Sequence, residues 1–307
     1  MSIGWVAGSV RARLLDRHRV GRDTARAIGE SPTLAAARDR LGGTAYSKAL
    51  DEATSIAATQ HAVWATVLWD LRVLAGWLPA RGVAALRTFA AFFEIENIES
   101  RLVALEGGGE LTTFDLGALA SVWPQMRDAV SSSDLRDRLR LWWAEAESDD
   151  RADILRSCRL EWARRMSEIG VAEQWGAGFA ALVVARALVS GHHWGLDLTR
   201  RAPQLGRRAA SASSLDEFVS VLPDSARWVF EAVGGVDANA ADLWMAEARW
   251  WSRLDRDGGR LLRRTRPGPD IVIGAVGRRM SDAWRTTSVL SLVGRGPCGQ
   301  ELLDVLA

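Results

Sequence analysis

The chain has 307 residues, 48% of them hydrophobic and 25% charged, with a net charge of +1. That composition is globular, gives no general electrostatic footprint for nucleic acid, and leaves room for one large domain or two to three small ones. Cys158 and Cys298 make neither a disulfide framework nor a metal-ligand spacing, so the chemistry that cysteine pairs support is excluded.

Ser9 to Arg19 reads as a helix, with Val10, Leu14 and Leu15 alternating with Arg11, Arg13, Arg17 and Arg19. Asp23 to Gly29 follows as a short helix after the break at Gly21. Ser31 and Pro32 have the chemistry of an N-cap and a first helical residue, and that helix runs through Leu41 to Gly42 and Gly43. A long helix is expected from about Lys48 to Trp77, stopped by Pro79. Another runs from about Val83 to Leu105, ended by Gly107, Gly108 and Gly109. Within it Phe92, Ile95, Ile98 and Leu102 form an apolar stripe at helical spacing, with Glu94, Glu96, Asn97 and Arg101 off that stripe. Two readings stay open here. One is an ordinary charged surface helix; the other is a buried helix whose polar residues have fixed partners.

Helices are next expected at Asp115 to Val122, Pro124 to Val130, and from the Ser131–Leu135 start through Trp142 and Trp143. Asp149 and Asp150 mark a cap for a helix ending near Ile169. Glu173 to Ser190 is helical, and Gly191 to Gly195 is a loop. Ser211 to Glu217 is a capping-box-like start to a helix ending near Leu222. Ser225 to Val233, Ala240 to Arg264 and Ile271 to Leu292 follow, the last two separated by the breaker Arg266-Pro267-Gly268-Pro269. Gly294 to Pro297 leads into a tail helix. No strand pattern appears, so the class is all-α.

Lys48 is the single lysine, and nothing around it fits a phosphate-binding Gly-x-x-x-x-Gly-Lys loop. The fifteen tryptophans lie mostly in helical patterns and read as core and groove-lining bulk. Met1-Ser2-Ile3-Gly4-Trp5 has neither the basic start nor the apolar run of a signal peptide, which points to the cytoplasm. No window offers the roughly 18 apolar residues of a membrane-spanning helix. His192 and His193 with Asp197 lack metal spacing. Cys158 lies beside arginines that would lower a thiol pKa, although a structural thiol is the commoner case. Gly107 to Gly109, flanked by Glu106 and Glu110, repels phosphate. Glu145, Glu147, Asp149 and Asp150 read as a solvated acidic face.

Three passages resemble one another. Val10, Ile98 and Val183 each precede an arginine by three residues: Arg13, Arg101 and Arg186. The arginines stand 88 and 85 positions apart. Each is followed by a Ser- or Pro-marked cap with a leucine, at Leu34, Leu135 and Leu215, and then a short helix. This is the pattern of a threefold repeat.

The chain also resembles the C/d family of V-type rotary ATPases, the central-stalk component lettered C in bacteria and archaea and d in eukaryotes. Four sets of residues carry the likeness. Val10 to Leu15 is similar to the family's arginine-bearing first helix. Thr33 and Leu34 through Leu41 to Tyr46 is similar to its short helix followed by Thr-x-Tyr. Phe93 to Ile98, with Arg101, is similar to its acidic-x-x-Asn-apolar motif. Pro269 to Arg285 is similar to its closing helix. The chain departs from the family at Phe179 to Arg186, where Ala180, Ala181, Leu182 and Val183 replace a second acidic-x-x-Asn motif. It departs again at Asp282, which replaces a glutamate, and at Gly274 and Ala275, where an aromatic is common.

The resemblance implies a funnel or socket of three similar helical units. The corresponding repeats fall at about residues 5–90, 91–175 and 176–265, with 266–307 as closing helices. It implies a non-catalytic part, with no cofactor, on the cytoplasmic face of the plasma membrane. Its expected partners are shaft subunits D and F and the membrane proteolipid ring, with membrane contact peripheral only. Such a part needs polar pins between helices, a role expected for Arg13, Asn97, Arg101, Asp282 and Arg285. Arg200, Arg201, Arg207, Arg208, Arg263, Arg264 and Arg266 are candidates for contact with acidic shaft helices, ring loops or anionic lipid heads, or else are solvated surface. The alternative function is a soluble helical adaptor or regulator that kept the fold without the rotary machine.

Overall fold

Backbone hydrogen bonding in the computed structural model is helical throughout; it describes residues 3–47, 50, 53–109, 113–195, 197–231, 243–294 and 303. Among them are fourteen α-helices, several short 3-10 turns and no strand. The helices are α1 (Ile3–Asp16), α2 (Arg22–Gly29), α3 (Leu34–Gly42), α4 (Ile56–Ala75), α5 (Ala80–Leu105), α6 (Trp123–Met126), α7 (Ser132–Trp142) and α8 (Arg151–Ser167). They continue with α9 (Glu173–Val189), α10 (Leu198–Arg201), α11 (Leu215–Val221), α12 (Asp224–Arg227), α13 (Leu243–Leu262) and α14 (Pro269–Leu290). The chain divides into two compact units, residues 1–84 with 251–307 and residues 85–250, and the division falls within α5 and within α13. No helix among the described residues is long and apolar enough to cross a membrane.

Several boundaries differ from the sequence expectation for local reasons. The N-cap of α3 is Thr33 rather than Ser31, because the Thr33 hydroxyl accepts from the Ala36 N–H. Ser31 instead bonds back to the Ala27 carbonyl. Helix α4 begins at Ile56, capped by Ser55, and the expected start at Lys48 lies outside the described residues. The helix expected at 115–122 is only a 3-10 turn at Gly117–Leu119, and that at 124–130 is a single turn, α6. The expected caps at Asp150, Ser131 and Ser214 each accept from the N–H three residues on. The expected tail helix falls almost wholly outside the described residues.

The first unit is built around α14. Ile271, Val272, Ile273, Val276, Met280, Ala283 and Val289 are all at most 2% exposed, and α1, α2 and α4 pack against this helix. The helix is buried on several sides, and Arg279, Asp282 and Arg285 are buried along it with the apolar residues. Helices α13 and α14 approach closely at two glycines: a Cβ on Gly258 of α13 would lie 2.4 Å from the Gly274 carbonyl oxygen, and a Cβ on Gly274 would lie 2.8 Å from that of Gly258.

The second unit packs α8 against α9, with α12 and α11 on α9. Trp162, Trp175 and Trp250 are at most 1% exposed. Their indole nitrogens are not left bare: Trp162 Nε1 donates to the Thr88 carbonyl and Trp250 Nε1 to that of Trp175, each at 2.8 Å. Phe179 packs between Trp162 and Trp250, with centroids 4.7 and 5.1 Å away. Tryptophan is thus core bulk here, whereas Trp69, Trp77 and Trp142 are more than half exposed.

Helix α5 ends in a Schellman turn. Gly108 N–H bonds to the Val103 carbonyl, Gly107 N–H to that of Ala104, and Gly107 takes φ +86°, a conformation that favours glycine.

Candidate functional site

Helix α5 resolves the two readings left open by its sequence. Glu94 and Asn97 are fully buried, and so are Phe93 and Ile98. Glu94 and Asn97 therefore face protein rather than water, while Glu96 and Arg101 are part-buried. Glu94, Asn97 and Arg101 each take hold of the segment that follows the helix. Asn97 donates from Nδ2 to the Phe114 carbonyl at 2.9 Å and accepts the Phe114 N–H at 2.7 Å. A side-chain amide, with both donor and acceptor, is the group that satisfies one residue's backbone completely. Arg101 closes a two-pronged bond on the Ala129 carbonyl, at 3.1 Å from Nε and 2.6 Å from Nη2.

Glu94 is the third tie. Its Oε1 accepts from the N–H groups of Ser121, Val122 and Trp123 at 2.6, 2.8 and 3.0 Å, and its Oε2 from the Ser121 hydroxyl at 2.5 Å. The carboxylate thereby caps α6, meeting orphan donors and the positive end of the helix dipole. Sequence reasoning placed Glu94 off the apolar stripe and named no partner for it. The signal available was its three-residue spacing from Asn97, which puts both on one face.

The first unit holds a buried ionic hub along α14. Asp282, 1% exposed, accepts from the N–H of Val20 and of Gly21, each at 2.9 Å, and from the Tyr46 hydroxyl at 3.1 Å. Gly21 makes its bond at φ +80°, so its freedom is used. Burial pushes the Tyr46 phenol well above its ordinary value, and neighbouring Asp282 and Asp70 add to this against Arg279, so the phenol stays a donor. Arg279, also 1% exposed, bonds to Asp70 at 2.8 Å and to the His18 carbonyl at 3.2 Å, and lies 4.4 Å over the Tyr46 ring. Its Nη2 has no acceptor among the described residues.

Asp255 is the other acceptor centre of the hub. Arg19 Nη1, Arg278 Nε and Arg285 Nη2 reach it at 3.3, 3.0 and 3.3 Å. Burial works to raise this carboxyl; the bond from Arg278 and the charges of Arg19 and Arg285 outweigh it, so the group sits below the ordinary carboxylate range. Arg285 is also 4.0 Å from Asp282. Arg13 lies apart from this hub and holds two backbone carbonyls, of Leu262 at 3.4 Å and Arg264 at 2.6 Å. The five residues expected as pins thus lie in two places: Asn97 and Arg101 in the second unit, and Arg13, Asp282 and Arg285 in the first. Asp255, Arg279 and Tyr46 complete the hub; in a chain this rich in arginine and aspartate, nothing in the helical pattern separates Asp255 and Arg279 from surface charges.

The arginines expected at an interface sort by partner. Arg201, with a side chain only 10% exposed, is held by Asp197, by the Ser157 hydroxyl at 2.8 Å and by Glu147 at 3.3 Å. Arg200 pairs with Asp197 and Glu145, and Arg264 with Asp270. Arg207, Arg208, Arg263 and Arg266 are exposed and have no ion pair among the described residues. Arg186, the arginine of the third expected repeat, pairs with Glu247.

Two further residues singled out in the sequence are placed as follows. Cys158 is fully buried, and burial pushes its thiol up to about 12 despite Arg159 nearby, so it is no thiolate nucleophile. His192 packs edge-on against Trp194 with centroids 4.8 Å apart. Cys298 lies outside the described residues. No protein-family model matches the chain, and no curated protein matches it in sequence.

Proposed function

We propose that this chain is a non-catalytic central-stalk subunit of a V-type rotary ATPase. On this reading it is a socket that couples a shaft of subunits D and F to the proteolipid ring of the membrane sector during proton or sodium transport. It is then three similar helical units arranged as a funnel, placed peripherally on the cytoplasmic face of the plasma membrane, with no cofactor of its own.

The observation that carries the reading is the use made of the residues that bear the family resemblance. Tyr46, Asn97, Arg101 and Asp282 all hold other parts of the chain in place, three of them by bonds to backbone. A torque-bearing part has to be stiff, and side chains that fix loops to close-packed helices make it so. The threefold repeat draws support from local geometry. Helices α5 and α9 both end at a glycine of positive φ, Gly107 and Gly191, and hydroxyl-capped helices α3, α7 and α11 follow Arg13, Arg101 and Arg186 in turn.

The test is fractionation of the source cells. Membranes are pelleted, washed with low-salt EDTA and then with chaotrope, and the released proteins are identified by mass spectrometry. Release together with shaft and Walker-type subunits, or retention with a proteolipid ring, is the expected result. A chain found wholly in the soluble fraction without rotary subunits would overturn the reading and favour the helical adaptor.

A further inference from the structure

The first unit contains an open cavity of about 1020 Å³ walled by α1, α2, α3, α4 and the turns after α1 and α3. Its polar lining is strongly one-sided. Arg11, Arg17, Arg19 and Arg40 face it with Asp70 as the single carboxylate among the described lining residues. Two of these charges are already spent: Asp70 on Arg279, and Arg19 on Asp16 and Asp255. Arg11, Arg17 and Arg40 therefore line one concavity with no carboxylate partner among the described residues. Arg17 and Arg40 are exposed and Arg11 is part-buried. Among the described residues the Arg40 side chain bonds to the Ser31 hydroxyl, at 2.5 Å. Thr24 and Ser47 add hydroxyls to the wall, and Trp69, 58% exposed, adds a flat apolar face.

Three uncompensated guanidinium groups in one concavity repel one another and focus a positive potential into it. An anion that accepts from several guanidinium groups at once relieves the repulsion. Phosphate groups do so best, because guanidinium and phosphate oxygens match in a two-pronged geometry. The volume is that of an ordinary small-molecule site. We propose that this cavity binds a small anion bearing more than one phosphate group, with Arg11, Arg17 and Arg40 as its charge partners. The inference does not depend on the stalk reading. The phosphates have two sources, a free polyphosphorylated compound or a phosphoinositide headgroup, and both present the same chemistry to the arginines.

The test uses the full chain and inorganic tripolyphosphate as probe, titrated in a calorimeter at constant ionic strength with sulfate as the balancing salt. Saturable binding at one site per chain is expected. The double variant Arg17→Gln with Arg40→Gln is expected to weaken it at least tenfold, since each charge-assisted bond lost is worth about that factor. Arg136→Gln, on α7 in the second unit, is the control and leaves it unchanged. Thermal melts of the free variants establish that they fold.

A second arm mixes the chain with phosphatidylcholine vesicles, with and without phosphatidylinositol bisphosphate. Phosphoinositide-dependent binding that tripolyphosphate competes away, and that the double variant loses, identifies the headgroup as the source. Tripolyphosphate binding without vesicle binding identifies a free compound. No saturable tripolyphosphate binding, or binding that the folded double variant retains in full, would overturn the proposal.

Discussion

Asp255 accepts from three arginines and so is one of the first unit's two carboxylate centres. Replacing it leaves Arg19 and Arg278 with Asp16 as their shared carboxylate and Arg285 with Asp282, one anion fewer for the three guanidinium groups. Asp255→Asn should cost about 2–3 kcal/mol in urea unfolding, below the full scale of leaving a buried charge unpaired. Its lowered pKa also sets a sign. Stability from this carboxylate is present above its unfolded value and is lost as the pH falls through the lower folded value, so the contribution disappears only in acid. Glu96 has the opposite sign. Burial, with Glu99 nearby and only Arg159 opposing, raises it from 4.5 to about 7. The stability it contributes is complete below about pH 4.5 and is lost as the pH rises towards 7. Glu96→Gln should therefore match the parent near pH 4 and exceed it at pH 8 by on the order of 2 kcal/mol, read from melts at the two pH values. Cys158 gives a third expectation. In a Cys298→Ser background the native chain should resist thiol reagents at neutral pH and react only in denaturant. Labelling of the native form would mean that the thiol is not shut away as its burial and its pKa near 12 require.

At the scale of the element, the positions that matter are often those without a side chain. Gly258 and Gly274 set how closely α13 and α14 approach within the first unit. Gly274→Ala puts a Cβ 2.7 Å from the Leu261 Cβ and 2.8 Å from a carbonyl oxygen. The backbones then have to separate, at about 1–3 kcal/mol and a lower melting temperature. Ser131→Ala on α7 should cost about 1 kcal/mol, since the hydroxyl bond to the Asp134 N–H is its main role. These two cases mark what the sequence makes legible. The Ser131, Asp150 and Ser214 caps follow from residue chemistry within a few positions, and so do the glycine end of α5 and the breaker before α14. The single turns at 117–119 and 123–126 do not, because Glu94 and Asn97, some 20 to 30 positions earlier in the chain, decide where that segment's backbone is satisfied. The all-α class was readable from pattern; the burial of Glu94 and Asn97 on α5 was not, because a surface reading of the same pattern stood equally open. The Asp255 centre was not, since it gathers arginines from widely separated parts of one unit.

For the whole molecule, the proposed role as a docked subunit has to be carried by surface groups that the fold does not already use. Arg201 is held by three neighbours, and Arg264 by Asp270. Arg263 and Arg266 are exposed and without ion pairs among the described residues, and Arg207 and Arg208 are alike in this. Charge reversal at such positions costs little in stability, because exposed charges are well solvated and individually weak. It changes long-range attraction to an acidic partner instead, an effect that added salt screens. The pair Arg263→Glu with Arg266→Glu should therefore melt within a degree or two of the parent, on the order of the small surface effects expected. Yet it should rebind stripped membranes more weakly at low salt, with the difference closing as salt rises. Charge reversal at Arg207 and Arg208 provides the same measurement in the second unit, and whichever pair moves the rebinding curve lies nearer the partner. If both variants rebind as the parent does at every salt concentration, these arginines are solvated surface, and docking of a central-stalk subunit has to rest on other groups, of which the uncovered α1 stripe of Ile3, Val6, Val10 and Leu14 is the next to substitute.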